Sequence, residues 1–212
     1  ERALCLVGSE MCIRDRPNWT YNTIEITGSV ENVQNFLDLV KVTDDKGVSW
    51  YDFTQCNPIP DDLRNIHQGG ATIDGVRYDA WYEDEDGKRP MMDMVKDRLV
   101  KDYGTYQPID WQYLNWGTKW GDCDTTLISD TITKDNREVV FQFDSAWGEP
   151  FRLLNDIAIK FNLTIVNSWD IELGNGDGVS EYPWTPEDTE RIYNEYEKSM
   201  QEMHDKVREI TE

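Results

Sequence analysis

Residues Tyr21–Val42 read YNTIEITGSVENVQNFLDLVKV, and the hydrophobic period changes partway along them. Between Tyr21 and Ser29, Ile24 and Ile26 alternate with polar residues as far as Gly28, the period of a half-buried strand. From Val30 on, Val30, Val33, Phe36, Leu37 and Val40 recur at spacings that share one face of a helix. A strand that feeds an amphipathic helix is half of a two-layer unit, because the helix needs a sheet to cover its apolar stripe.

The other half stands near the far end of the chain. Thr125–Thr133 (TTLISDTIT) and Arg137–Trp147 (REVVFQFDSAW) flank Lys134-Asp135-Asn136, a turn composition that joins two strands into a hairpin. EPFRLLNDIAIKF then puts Pro150 at a helix start, with Leu153, Leu154, Ile157 and Phe161 as its stripe. NLTIVNSWDIEL alternates as a final strand. The order strand, helix, strand, strand, helix, strand predicts an α+β fold, a ferredoxin-like βαββαβ sheet with two helices on one face.

Between the halves, residues from about 44 to 122 are expected as a long irregular insert. Within it, MMDMVKDRLVKDYG predicts a helix with Met91, Met94, Val95, Leu99 and Tyr103 as its buried stripe. The main domain is expected over 17–180, followed by an acidic amphipathic helix over 185–212. Thr185, Pro186 and Asp188 give that helix a strong start. Ile192, Tyr196, Met200, Met203, Val207 and Ile210 form a narrow seam near the heptad spacing. The seam can dock on its own domain or form a homodimer. Residues 1–16 are expected to be foreign: LVGSEMCIRD (Leu6–Asp15) back-translates without a gap to a sequencing-library adapter.

The chain has 212 residues, with 42 acidic against 21 basic side chains and a net charge of −21. That balance opposes contact with duplex DNA, whose phosphates require clustered Lys and Arg. It equally opposes anionic membrane surfaces, and it suits a basic partner or simple solubility. No apolar run approaches the roughly 20 residues that span a bilayer. Beyond residue 16 only Cys56 and Cys123 remain, without metal-ligand spacing or a disulfide framework, so the default compartment is a reducing cytoplasm.

The catalytic inventory is poor. His67 and His204 have no nucleophile paired to them by motif, and no catalytic residue is assigned. Asp170–Glu181 (DIELGNGDGVSE) faintly resembles a calcium loop, but Asn175 stands where the loop needs glycine. HQGGATIDG lacks the ending of a phosphate-cradling loop. No metal and no cofactor is therefore expected.

Tryptophan stands out, with nine residues, four of them following a hydrogen-bonding side chain: Asn18-Trp19, Asp110-Trp111, Asn115-Trp116 and Lys119-Trp120. Such indoles can build a rigid, polar-laced core, because each N–H needs a partner once buried. The same groups can hold a flat ligand, with rings to stack a base, Asn to read an edge and Lys119 to meet a phosphate. The candidate ligand set is Trp111, Asn115, Trp116, Lys119 and Trp120, with Asn18, Trp19 and Trp147 nearby.

Four stretches occur in order: PNWTYNTIEITG, YDFTQCNPIPDDL, YQPIDWQYLNWGTKWGDCD and FDSAWGEPFRLLNDIAIKF. Together they resemble a family of small phage and plasmid proteins with a YubB-type ferredoxin-like domain, over about residues 17–178. Thr20 stands where that family usually carries cysteine, the middle from His67 to Tyr106 is longer, and the helix from Pro186 is an added element. The resemblance implies the fold, a mobile-element origin and work inside an infected bacterial host, but no reaction. The function expected is that of a phage-type accessory binding protein that evades host defence by sequestering a nucleotide-like small-molecule signal. The alternative is an acidic mimic of DNA, or another protein-protein inhibitor of a host defence enzyme. A hydrolase ranks last.

Overall fold

The computed structural model describes residues 18–67, 70–73, 76–79, 90–174, 176–192, 194 and 198. The chain opens with β1 (Trp19–Ser29), α1 (Val30–Val40), β2 (Lys41–Thr43) and β3 (Ser49–Tyr51). A 3₁₀ turn (Phe53–Cys56), α2 (Asp61–Arg64), β4 (Ile66–His67), β5 (Gly70–Ile73) and β6 (Val76–Asp79) follow. Next come α3 (Pro90–Tyr103), α4 (Pro108–Trp116), β7 (Cys123–Ile132), β8 (Asn136–Ala146) and α5 (Phe151–Phe161). The described chain then runs through β9 (Thr164–Ile171), a second 3₁₀ turn (Glu172–Gly174) and β10 (Asp177–Tyr182).

The architecture mixes helices with a five-stranded sheet of order β10-β9-β1-β8-β7, in which every pairing is antiparallel. The switch of period in Tyr21–Val42 is the boundary of β1 and α1. Ser29 caps the helix, its Oγ accepting from the Asn32 N–H at 3.1 Å. Val33, Phe36, Leu37 and Val40 are the buried residues of α1, while Val30 is only partly covered. α1 packs on β1, β8 and α5, and α5 packs on β9, β10 and α4. The covered face therefore takes Thr20, Asn22, Ile24 and Ile26 from β1 and Val139, Phe141 and Phe143 from β8. The alternate residues of those strands face the other way.

The middle differs from the irregular insert that its sequence suggests. It forms a β2–β3 hairpin, a three-stranded sheet of order β4-β5-β6, and two longer helices. The physical reason is a set of scattered apolar residues that reach the main core. Phe53, Leu63, Leu99 and Trp111 are buried in the same cluster as Phe36 and Phe141. Phe53 sets its ring edge-on to Phe141 at 5.2 Å and to Phe143 at 5.4 Å. In α3, Val95 and Leu99 are buried and Tyr103 packs against the core, but Met94 is 73% exposed, so the buried stripe is narrower than expected. The side chain of Met91 lies outside the described residues.

Past Ile171 a fifth strand of the main sheet appears where a turn is expected. β10 pairs with β9 from Asp177↔Asp170 to Tyr182↔Ile165, so the faint calcium loop is the connection and second strand of a hairpin. Thr185 does start a helix: its Oγ1 accepts from the Asp188 N–H at 3.1 Å. From the seam, Tyr196, Met200, Met203, Val207 and Ile210 lie outside the described residues, as do residues 1–16 and His204.

Candidate functional site

NWGTKW (Asn115–Trp120) begins inside α4 and leaves it by a turn. Trp116 is buried, 5.9 Å from Trp111 in an edge-on contact, and its Nε1 donates to the Asn57 carbonyl at 2.8 Å. Asn115 Nδ2 donates to the Trp111 carbonyl one turn back, at 2.9 Å. Gly117 then ends α4 at φ +83°, a left-handed conformation that favours glycine. A Cβ there would also stand 2.6 Å from Phe151 Cε1. Trp111, Asn115 and Trp116 thus belong to the framework of α4.

The remaining members of the set gather at the end of the sheet where β1 begins and β8 ends. Thr118 Oγ1 donates to the Ala146 carbonyl, which ties the turn to the end of β8. Trp120 lies 5.7 Å from Trp19 at an interplanar angle of 35°. Lys119 is 6% exposed, with Nζ 5.0 Å from the centre of the Trp120 ring. The Trp147 N–H donates to the Asn18 carbonyl at 2.9 Å. Trp147 itself is 45% exposed and sits at φ +71°. A bulky residue rarely adopts that conformation, and such strain concentrates where function needs a side chain held in place.

Beneath this aromatic corner, on the covered face, lies a polar network that joins five segments. Asn22 Nδ2 donates to the Thr20 carbonyl at 2.9 Å and to Ser145 Oγ at 2.8 Å, and Ser145 Oγ donates to the Gly148 carbonyl. Asn167 Nδ2 donates to Asn22 Oδ1 at 3.0 Å and to Glu149 Oε2 at 2.8 Å. Glu149 also accepts from Ser180 Oγ at 2.6 Å and from the Tyr182 hydroxyl at 3.0 Å. Burial, then the Glu149 charge, pushes the Tyr182 phenol upward, so it stays a donor. Thr20 Oγ1 and Asn167 Oδ1, both buried, have no hydrogen-bond partner among the described residues. The network clamps the β8–α5 turn that carries Trp147 to β9 and β10. Sequence reasoning did not find these residues, because polar side chains from distant strands carry no local pattern.

A half-buried acid with an enclosed carboxyl oxygen stands just before β7. Asp122 Oδ2 accepts from the Phe53 N–H at 3.0 Å and from Thr125 Oγ1 at 2.8 Å, while Oδ1 is enclosed without a partner among the described residues. Burial, reinforced by the Asp52 charge, pushes Asp122 up to about 7. Asp52 is the cap of the first 3₁₀ turn and accepts from the Thr54 N–H at 3.0 Å. Close by, burial raises the Cys56 thiol to about 12, which keeps it protonated and a poor nucleophile. A groove of about 610 Å³ lies at the opposite end of β1, bordered by Ser29, Asn32, Asn136 and Asn162. It is remote from the aromatic corner and presents neutral groups.

No family model and no curated protein matches the chain. Among solved structures, a crystal structure of a protein api92 from Yersinia pseudotuberculosis, described by the family model DUF1281, is similar to it with a TM-score of 0.41. The two share 13% identity over 78% of this chain and 94% of that one. A likeness of that extent identifies neither a fold family nor a role.

Proposed function

We propose that this chain is a ferredoxin-like, phage-type accessory protein that works by binding, and that its aromatic corner holds a flat, nucleotide-like ligand. The fold part of this reading is supported by four strands in the order β9-β1-β8-β7, with α1 following β1 and α5 following β8. β10 and the elements between β2 and α4 are additions to that plan. Work inside a bacterial host rests on the sequence resemblance alone. The described residues include no helix long and apolar enough to cross a membrane.

The observation that carries the binding part is Trp147, an indole displayed to solvent on a left-handed backbone, in a turn that Glu149 and its three donors tie to β9 and β10. Trp19 and Trp120, in contact with each other at the same end of the sheet, supply two further indoles, and Asn18 meets Trp147 through the backbone. Stacking one base on such a surface contributes about 1–3 kcal/mol. Lys119, packed inside against Trp120, offsets the charge of a ligand phosphate from behind the ring rather than by an exposed contact.

The test is mass spectrometry of small molecules released from the protein after exposure to a bacterial nucleotide extract, run beside Trp147→Gly. Glycine suits φ +71° and so relieves strain while giving up part of the indole burial; stability should stay within about 1 kcal/mol of the parent. Stoichiometric ligand on the parent and none on the variant supports the reading. An empty parent protein, or equal retention by both, refutes it. The second reading, an acidic surface that occupies a basic site on a host protein, is favoured by the face of the sheet that no described element covers.

A further inference from the structure

The residues of the sheet that point away from α1 and α5 follow from the register. On β1 they are Tyr21, Thr23, Glu25 and Thr27, opposite Asp144, Gln142, Val140 and Glu138 of β8. On the other side of β1 the same residues meet Asp170, Ser168, Val166 and Thr164 of β9, and β10 continues the face. Among the described residues no layer covers this face: Tyr21 is 47% and Val179 66% exposed, and Glu25, Glu138, Gln142, Ser168 and Asp177 are all exposed.

Its charge is of one sign. Glu25, Glu138, Asp144, Asp170, Asp177 and Glu181 lie on it, and these positions of the four strands include neither Lys nor Arg. The acids fall into cross-strand rows. One runs Asp177, Asp170, Tyr21, Asp144, and a second runs Glu181, Val166, Glu25, Val140. The rows stand four residues apart along the strands, about 13 Å. Asp177 and Asp170 are directly opposed, an arrangement that destabilises a sheet when nothing neutralises it. Asp144 is likewise held above the usual carboxylate range by partial burial and by Asp124. The arginine beside the face turns elsewhere: Arg137 pairs with Asp130 at 2.5 Å and with Gln34, on the covered side.

We propose that the open sheet face is a docking surface for a protein that presents a Lys- and Arg-rich patch. The inference rests on the second reading of the function, whose surface it locates, and is independent of the ligand assigned to the aromatic corner. Charge complementarity selects the occupant. A second copy of this chain would set carboxylates against carboxylates, and nucleic acid or an anionic membrane would be repelled in the same way. A basic protein surface removes the repulsion within each row, and planar guanidinium groups can bridge neighbouring carboxylates along it. Tyr21 and Val179, exposed among the acids, supply the apolar contacts around which such an interface excludes water.

The test separates this face from net charge. The full chain carrying Glu25→Lys, Asp170→Lys and Glu181→Lys is compared with a control carrying Asp45→Lys, Asp97→Lys and Asp102→Lys, exposed acids away from the face. Both variants change the net charge by the same amount. The neutral triple Glu25→Gln, Asp170→Asn and Glu181→Gln serves if the first variant does not melt cooperatively. The probe is a synthetic helical peptide of Arg, Lys and Leu, titrated by calorimetry at low and at 150 mM salt. We expect the face variant to bind about tenfold or more weaker than the parent, and the control to stay within about twofold. Equal weakening in both variants would reduce the effect to bulk charge and overturn the proposal. So would absence of binding to the parent, a parent that takes up divalent cations but not the peptide, or self-association of the parent through the face.

Discussion

Asn at position 122 should change how stability depends on pH. Asp122 has an ordinary value of 3.8 and stands at about 7 in the folded protein, because its carboxyl is enclosed and Asp52 lies near. A folded value above the unfolded one means that the native state binds the proton more tightly between pH 3.8 and about 7. Stability from this group is then complete below pH 3.8, falls as pH rises through the window, and is flat above it. The two values differ by about 3 units, which at 1.36 kcal/mol per unit gives an upper limit of about 4 kcal/mol. Water penetration on ionisation would bring this to about 2 kcal/mol.

The assay is urea unfolding of parent and Asp122→Asn at half-unit steps from pH 4.5 to 8. The other acids of the chain titrate in both proteins, so the difference between them isolates position 122. Asn can still accept from the Phe53 N–H and Thr125 Oγ1 through its oxygen, and any fixed cost of its amide shifts the difference equally at all pH values. The parent should lose about 1–3 kcal/mol relative to Asp122→Asn between pH 4.5 and 7.5, the remainder of the change lying below pH 4.5, with little further change to pH 8. A difference that stays constant across the range would refute the argument, since it would place Asp122 in contact with water or with a cation.

Three further perturbations probe the framework. Phe53→Ala removes a fully buried ring that meets Phe36, Phe141 and Phe143, and should lower unfolding stability by about 3–5 kcal/mol in chemical denaturation. Arg137→Lys keeps the charge but loses the forked contact to both Asp130 oxygens; a loss of about 1–2 kcal/mol is expected at pH 7. The Arg137 contact holds Asp130 below its ordinary 3.8, so the stability that the pair supplies is present above that pH. It is lost as pH falls through the depressed value. Gly117→Ala must hold alanine at φ +83° with its Cβ against the Phe151 ring; a drop of more than about 1 kcal/mol in thermal or urea unfolding checks it.

Tyr21–Val42, Arg137–Trp147 and Glu149–Phe161 were legible as strand or helix because one face of each is buried, and burial writes its period into the chain. The strands lie within a few residues of their expected places for that reason. The insert was not legible, because Phe53, Leu63, Leu99 and Trp111 reach the core singly, from short elements whose pattern is too brief to show a period. β10 escaped for a related reason: it is an edge strand with Gly178 beneath the Trp169 ring, so packing rather than composition makes it a strand. The tryptophans were visible as a set, yet their division was not. Trp111 and Trp116 entered the core on the inner side of α4, while Trp19, Trp120 and Trp147 met at one sheet end.

Sequence by itself determined the acidity of this protein, the two amphipathic helices and the strands that cover them, since each depends on charge count or on a repeat among near neighbours. Tertiary structure alone decided which acids share a surface, which indole is displayed and which carboxyl is enclosed. Asp177 and Asp144 stand in one row only because β9 and β1 lie between β10 and β8 in the sheet. Asp122 is enclosed because Phe53, far away in the chain, folds back over it. Properties fixed by contacts between distant residues have no signature in the spacing of either one.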